Sequence, residues 1–412
     1  MDEKKLLPKR RFKEFSKNDE WMYYSWEDTV DISINMVDPK NDKYSNFPHI
    51  GPGNIESFTG LILDNVNTVK EDNLISGKFY FNAGDIIYGK INPQLGKYTY
   101  APYEGLASAD TYILNSKNGL NQRFLFMLLQ TKHFFNYSVS VSKRSGMPKI
   151  NRDELNEYTF CAPSTKEQQK IGKFFKVLDE RIANQERKIA KVKALKSAYL
   201  TEMFPQEGET VPKRRFAGFE GEWKEMCLGD LSDSFDYGLN AESKKYDGEN
   251  KYIRITDIDD DTRLFVKNDL TSPNIDYTIS DRYILDEGDI LFARTGASVG
   301  KTYRYNKLDG KVYYAGFLIK ATIKDEHDSE FIFQNTLTKK YKNFVYITSQ
   351  RSGQPGINAQ EYATYKLMIP TLKEQQKIGK FFKKLDVQIT IEEKKLEKLK
   401  KIKEAYLEEM FV

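Results

Sequence analysis

Apolar positions follow two different rhythms along this chain, and each rhythm occurs twice. In the first part of each half, short runs such as GKYTY, KYIRI, DILFA and KVYYAGFLI are rich in Tyr, Ile and Val. Gly, Asp, Asn and Pro break them up, which is the pattern of short strands joined by turns. A more continuous apolar run, RFLFMLLQTKHFF from Arg123, predicts helix between strands, so each half begins as a mixed α+β domain. After Pro163 and again after Pro370 the spacing changes to threes and fours, the period of an amphipathic helix. The first stripe is Ile182, Ile189, Val192, Leu195 and Tyr199; the second is Leu385, Ile389, Leu396, Leu399, Ile402 and Tyr406. Ser164 with Glu167, and Thr371 with Glu374, have the spacing of capping boxes at the helix starts. The first helix is expected to end at Phe204, because Pro205 follows, and the second to run to the last residue. Each is about forty residues, on the order of 60 Å at 1.5 Å per residue. Two matched stripes on polar helices predict that the helices pair with each other rather than each packing only on its own domain.

The two halves are copies. KEQQKIGKFF occupies Lys166–Phe175 and returns unchanged at Lys373–Phe382. From Ser145 to Phe204 and from Ser352 to Phe411 the copies align without a gap, SGMPKINRDELNEY against SGQPGINAQEYATY and LKSAYLTEMF against IKEAYLEEMF. Upstream, PKRRFKEF at Pro8 returns as PKRRFAGF at Pro212, each followed by a tryptophan, Trp21 and Trp223. GDIIYGK at Gly84 returns as GDILFAR at Gly288, and Gly96-Lys97 as Gly300-Lys301. Between these landmarks the copies have diverged almost beyond alignment. A period of about 200 residues means two whole domains rather than solenoid units. The segments expected are a globular domain over 1–163, a helix over 164–205, a second globular domain over 206–370 and a second helix over 371–412.

Composition narrows the classes. Hydrophobic residues are 39% and charged residues 30% of the chain. No run of eighteen apolar residues and no signal-peptide pattern appears, so a cytoplasmic location without membrane contact is expected. Cys161 and Cys227 have no CxxC spacing, and His49, His133 and His327 have no partner at ligand spacing, so no metal site or disulfide is expected. Catalytic motifs are also missing. INPQ at Ile91 lacks the second proline and the aromatic of an adenine-methyltransferase motif. GASVGKT at Gly296 places three residues, not four, between its glycines, which is wrong for a phosphate loop. The acidic ITDIDDD at Ile255 reads as a solvated loop.

Net charge is +4, of which the helical segments carry about +5 and +3, leaving the globular remainder near −4. Any polyanion must therefore be held by local clusters rather than a general basic field. Candidates are Lys90 with Lys97, Lys143 with Arg144, Arg294 with Lys301, and Arg351, which fall at equivalent places in both copies beside Gly-containing turns. Arg294 and Arg351 suit bidentate guanine or phosphate contacts.

Taken in order and twice over, the PKRRF…F…W openings, the GDI segments, the SGxPxIN segments and P-x-x-KEQQKIGKFF with its helix ending AYLxxMF resemble the specificity subunit of type I restriction–modification enzymes. The resemblance covers essentially the whole chain. It implies an α+β fold: a tandem duplication of a target recognition domain plus a long helix, with the helices forming an antiparallel coiled coil. It implies a sequence-specific subunit, itself non-catalytic, that reads one half of a split site on double-stranded DNA with each domain. Two methyltransferase (modification) subunits and two motor–nuclease (restriction) subunits would be its partners. S-adenosylmethionine, ATP and Mg would belong to them, with no cofactor in this chain. The assembly would methylate adenine N6 and cut DNA in an ATP-dependent manner. An adaptor with two protein-binding domains on a coiled-coil spacer is the alternative from another class; its weak basicity is compatible with the charge count.

Overall fold

The computed structural model describes residues 6–18, 20–143, 146–350 and 353–412. The chain forms two compact units, Met1–Gln185 with Leu396–Val412, and Glu186–Lys395. Each contains one globular domain, the first part of that domain's own long helix and the last part of the other, which pair there. The helices are Thr165–Glu202 and Leu372–Glu409. No helix among the described residues is long and apolar enough to cross a membrane.

The first unit is built on two four-stranded sheets. One has the order Val30–Ile32, Thr111–Ser116, Ile86–Gly89, Tyr98–Tyr100, all antiparallel. The other places Met36–Val37, Lys78–Phe81, Gly105–Ala107 and His49–Ile50 side by side, the last pair parallel. The second unit repeats the first of these sheets with Ser232–Tyr237, Leu318–Ile323, Ile290–Ala293 and Thr302–Arg304. The GDI segments thus become inner strands of equivalent sheets. Beside them lie the short helices Gln122–Leu128 and Lys132–Val141 in one unit, Ser329–Asn335 and Lys339–Thr348 in the other.

The repeated ten letters fasten each long helix to its own domain. Arg11 donates Nε and Nη2 to the two carboxylate oxygens of buried Glu167, both at 2.7 Å. Arg215 does the same to buried Glu374 at 2.7 and 2.8 Å. Each glutamate of the expected capping boxes is thus held by the arginine of PKRRF. The next glutamine, Gln168 or Gln375, accepts from the backbone N–H of Asn121 or Asp328 and donates to the carbonyl of Pro163 or Pro370. Gly172 and Gly379 allow the close approach, since a Cβ there would come within 2.8 Å of Arg123 Cβ or 2.4 Å of Asp328 Oδ1.

The AYLxxMF ends close the cores. Phe204 packs against Trp223, Phe331 and Phe382 with ring centroids 5.3–6.4 Å apart. Phe411 meets the equivalent Trp21, Phe124 and Phe175 at 5.1–6.3 Å. The first helix therefore ends in the core of the second unit, and the second helix in the core of the first.

Within each unit the paired helix segments run antiparallel. In the first, Phe174 stacks edge-on with Tyr406 at 5.0 Å and Lys403 bonds Asp179 at 2.7 Å. In the second, Lys188 pairs with Glu392 at 2.9 Å, Lys196 with Asp386 at 2.5 Å, and Tyr199 with Phe381 at 5.1 Å. Burial pushes the Asp179 carboxyl up while Lys403 pulls it back. Ile182, Leu399, Ile402 and Tyr406 pack on the first core, Val192, Tyr199 and Leu385 on the second, and Ile189 and Ile389 are buried. Leu396 is half-buried. Leu195 is a correction: it is 45% exposed. Ile189, Val192, Lys196 and Tyr199 follow a seven-residue period that leaves Leu195 to one side, and the Lys196 stem takes the inner position with its ammonium on Asp386. The first helix also stops at Glu202 rather than Phe204, because Met203 and Phe204 turn into the core.

Candidate nucleic-acid interface

The motifs that recur in both halves converge at one place in each unit. Gly84 and Gly288 enter the GDI strands at φ +96° and +94°, a conformation that favours glycine. Asp85 and Asp289 then accept the backbone N–H of Asn82 and Asp286, closing the turn. At the far end of the strand, the carbonyl of Lys90 accepts from Ile150 at 3.0 Å, and that of Arg294 accepts from Ile357 at 2.9 Å. The backbone N–H of Lys90 donates to Asp110, and that of Arg294 to Phe317, both at 3.0 Å. Strand end, SGxPxIN segment and the turn before the next inner strand thus meet at equivalent positions.

The side chains on this shared frame differ. In the first unit the Lys90 ammonium lies over the Tyr112 ring at 5.1 Å, and Arg152 lies over the same ring at 5.6 Å. Burial, and then neighbouring Lys149, push the Lys90 pKa down, the response of a cation in a basic cluster. Asp110 is exposed beside it. In the second unit the Arg294 guanidinium lies over Tyr237 at 5.0 Å, and the residue matching Asp110 is Phe317, 60% exposed. Lys143 is exposed just past the helix Lys132–Val141. Arg144 and Arg351 lie outside the described residues.

Lys97 and Lys301 are corrections. Lys97 donates to the carbonyl of Ile55. Lys301, only 7% exposed, donates to that of Ile258 at 3.0 Å and pairs with Asp260. Ile55 and Ile258 each sit in an isolated bridge at the base of a hairpin-like loop. Both ammoniums brace these loops through those carbonyls. Sequence reasoning missed Arg152, Asp110 and Tyr112 in the first unit and Phe317 and Tyr237 in the second. The only available signal was that identity between the copies vanishes at these positions.

Among the described residues no group of three or more His, Cys, Asp or Glu is placed to hold a metal ion. The interface offers cations, aromatic faces and one exposed carboxylate or phenyl group, all suited to phosphates and base edges.

Comparison with known proteins follows the duplication. The family model described as the type I restriction modification DNA specificity domain matches residues 18–194 and again 220–401. The specificity subunit of the type I restriction enzyme EcoDI from Escherichia coli is 36% identical over 170 residues, 41% of this chain and only 37% of that protein. The MjaVIII specificity subunit of Methanocaldococcus jannaschii is 21% identical over 78% of this chain and 74% of its own. In fold, a type I restriction-modification S subunit from M. genitalium matches 98% of this chain and 99% of its own at a TM-score of 0.66 and 16% identity.

Proposed function

This chain belongs to the type I restriction–modification DNA specificity family, and on that premise we propose that it reads a two-part DNA site, one part with each unit, and brings methyltransferase and restriction subunits to it. The observation that carries the reading is the equivalence of the two strand-end frames combined with the difference of their side chains. Lys90 with Asp110 and Tyr112 answers Arg294 with Phe317 and Tyr237. A frame kept for geometry, with its tips altered, is what two readers of different sequences require.

Each tip has a defined chemistry. Arg294 suits a bidentate contact to guanine O6 and N7 or to a phosphate, Asp110 accepts from cytosine N4, and Phe317 offers an apolar face to a thymine methyl. Lys90 and Lys143 supply phosphate contacts that fix register without reading sequence. The paired helices set the gap between the half-sites and offer a docking surface for two methyltransferase subunits. S-adenosylmethionine, ATP and Mg belong to the methyltransferase and motor–nuclease subunits, and this chain contributes specificity rather than catalysis, in the cytoplasm. The near-neutral charge of the globular domains favours tight DNA binding only once those partners are assembled. The test is an electrophoretic shift assay with and without methyltransferase subunits, alongside mapping of methylated adenines. A split motif lost on deletion of this chain supports the reading; an adaptor would leave DNA methylation unchanged.

A further inference from the structure

The tyrosine beneath the tip cation comes from a different strand in each unit, and the exchange leaves an isoleucine outside. Ile32 pairs with Leu114 in the first unit as Phe235 pairs with Ala321 in the second, and Leu114 and Ala321 face the equivalent Ile86 and Ile290. Counted from that register, Ile34 is the counterpart of Tyr237, and Tyr112 is the counterpart of Ile319. In the second unit the isoleucine is inside, with Ile319 at 0% exposure, and the tyrosine is outside beneath Arg294. In the first unit Tyr112 is inside at 5%, beneath Lys90 and Arg152, and Ile34 stands outside at 81%.

An exposed isoleucine by itself means little. This one is held still. Arg152 donates Nη1 to the carbonyl of Ile32 at 2.8 Å and Nη2 to that of Ser33 at 2.9 Å, the latter in the peptide bond that leads into Ile34. The backbone N–H of Ser33 donates to the carbonyl of Ile113 at 2.9 Å. On the other side the N–H of Asn35 donates to Ser33 Oγ at 3.1 Å, and its carbonyl accepts from Tyr80 at 3.0 Å. The second unit braces the same place from the opposite partner: Ala359, which matches Arg152 in the gapless alignment, donates its backbone N–H to the Tyr237 hydroxyl at 3.2 Å. There the bond ties down the side chain. In the first unit the bonds tie down the backbone and leave the side chain in solvent. Branching at Cβ restricts χ1, so a braced backbone presents the apolar head of Ile34 in a set direction. Its neighbour Arg152 shares the Tyr112 ring with Lys90, which puts that head beside the strand-end frame.

We propose that Ile34 is a base-reading residue of the first unit and recognises the C5 methyl of a thymine in the major groove. The inference rests on the two-part reading proposed above and names a base for one half of it. The thymine methyl is the apolar group on the major-groove edge, where the other groups are hydrogen-bond donors and acceptors, so it is what an aliphatic side chain can distinguish. Tyr237, tied by its hydroxyl and with Arg294 over its ring, does not offer the same contact in the second unit.

The test uses the full chain assembled with methyltransferase subunits, on the duplex given by mapping methylated adenines. Each thymine is replaced in turn by deoxyuridine, which lacks only the C5 methyl. One replacement is expected to weaken wild-type binding about fourfold, the scale of one methyl group withdrawn from an apolar contact. I34A should bind the all-thymine duplex about fourfold more weakly and be indifferent to that same replacement. Its thermal stability should match wild type, because the side chain is exposed. I75A, which trims a similarly exposed isoleucine (80%) in the loop before Lys78–Phe81, should bind as wild type does. The inference is overturned if no replacement weakens wild type, if I34A responds to every replacement as wild type does, or if I75A shows the same loss. Weaker association of I34A with methyltransferase subunits, with the deoxyuridine effects unchanged, would also overturn it and make Ile34 a protein contact. A wild-type assembly that binds its mapped site no better than a scrambled duplex would instead defeat the two-part reading itself.

Discussion

The two units share a skeleton and diverge at their tips. Arg11–Glu167 and Arg215–Glu374, Phe411 and Phe204, Lys97 and Lys301, and the helix ion pairs Lys403–Asp179 and Lys196–Asp386 fall at equivalent positions with equivalent partners. Lys90 against Arg294, Asp110 against Phe317 and Gly60 against Arg263 occupy equivalent backbone positions with unlike chemistry. Kept pairs such as Glu167 and Glu374 are buried and internally bonded, while Asp110 and Phe317, which differ, are exposed. Much of the recurrence of KEQQKIGKFF is therefore a matter of folding: Glu167, Gln168 and Gly172, like Glu374, Gln375 and Gly379, fasten a helix in the same way on two domains with different surfaces.

The largest effects should come from breaking the shared skeleton. Glu374→Ala leaves Arg215 partly buried without its carboxylate and is expected to cost about 3–5 kcal/mol. Glu167→Ala should cost a similar amount in the first unit, as measured by chemical denaturation of the full chain. If only one of the two were destabilising, the units would not share one fastening. In the helix pair, Ile189→Ala is expected to cost about 2–5 kcal/mol. Leu195→Ala, at an exposed position, should stay within about 0.5 kcal/mol. Equal losses would return Leu195 to the pairing face.

At the tips the effect is smaller and falls on binding rather than stability. Arg294→Ala is expected to weaken the specific complex by about 1–3 kcal/mol and the scrambled one much less, if the contact is a bidentate base readout. Titrations of both duplexes across a salt series check this, and equal weakening would make Arg294 a phosphate contact.

The duplication, the long helices and most of the pairing stripe could be read from the sequence because they rest on local periodicity and repeated letters. Lys97 and Lys301 could not. A lysine after a glycine in a turn looks exposed until a carbonyl some forty residues upstream, in the Ile55 or Ile258 bridge, captures it. The same non-locality hid Asp110 and Phe317. Their equivalence lies in the backbone bond that each accepts from Lys90 or Arg294, and no spacing rule connects them. Leu195 was misplaced for a different reason: an apolar residue one position from the stripe is indistinguishable by composition, and only the Lys196–Asp386 bond settles which of the two turns inward.

The central claim is that each unit reads its own half-site. Converting the second tip to the first, with R294K and F317D in one chain, and then mapping methylated adenines across the genome tests it directly. The account predicts that one half of the split motif changes while the other half and the gap between them stay as they were. An unchanged motif at full methylation, or a change in both halves at once, would contradict it.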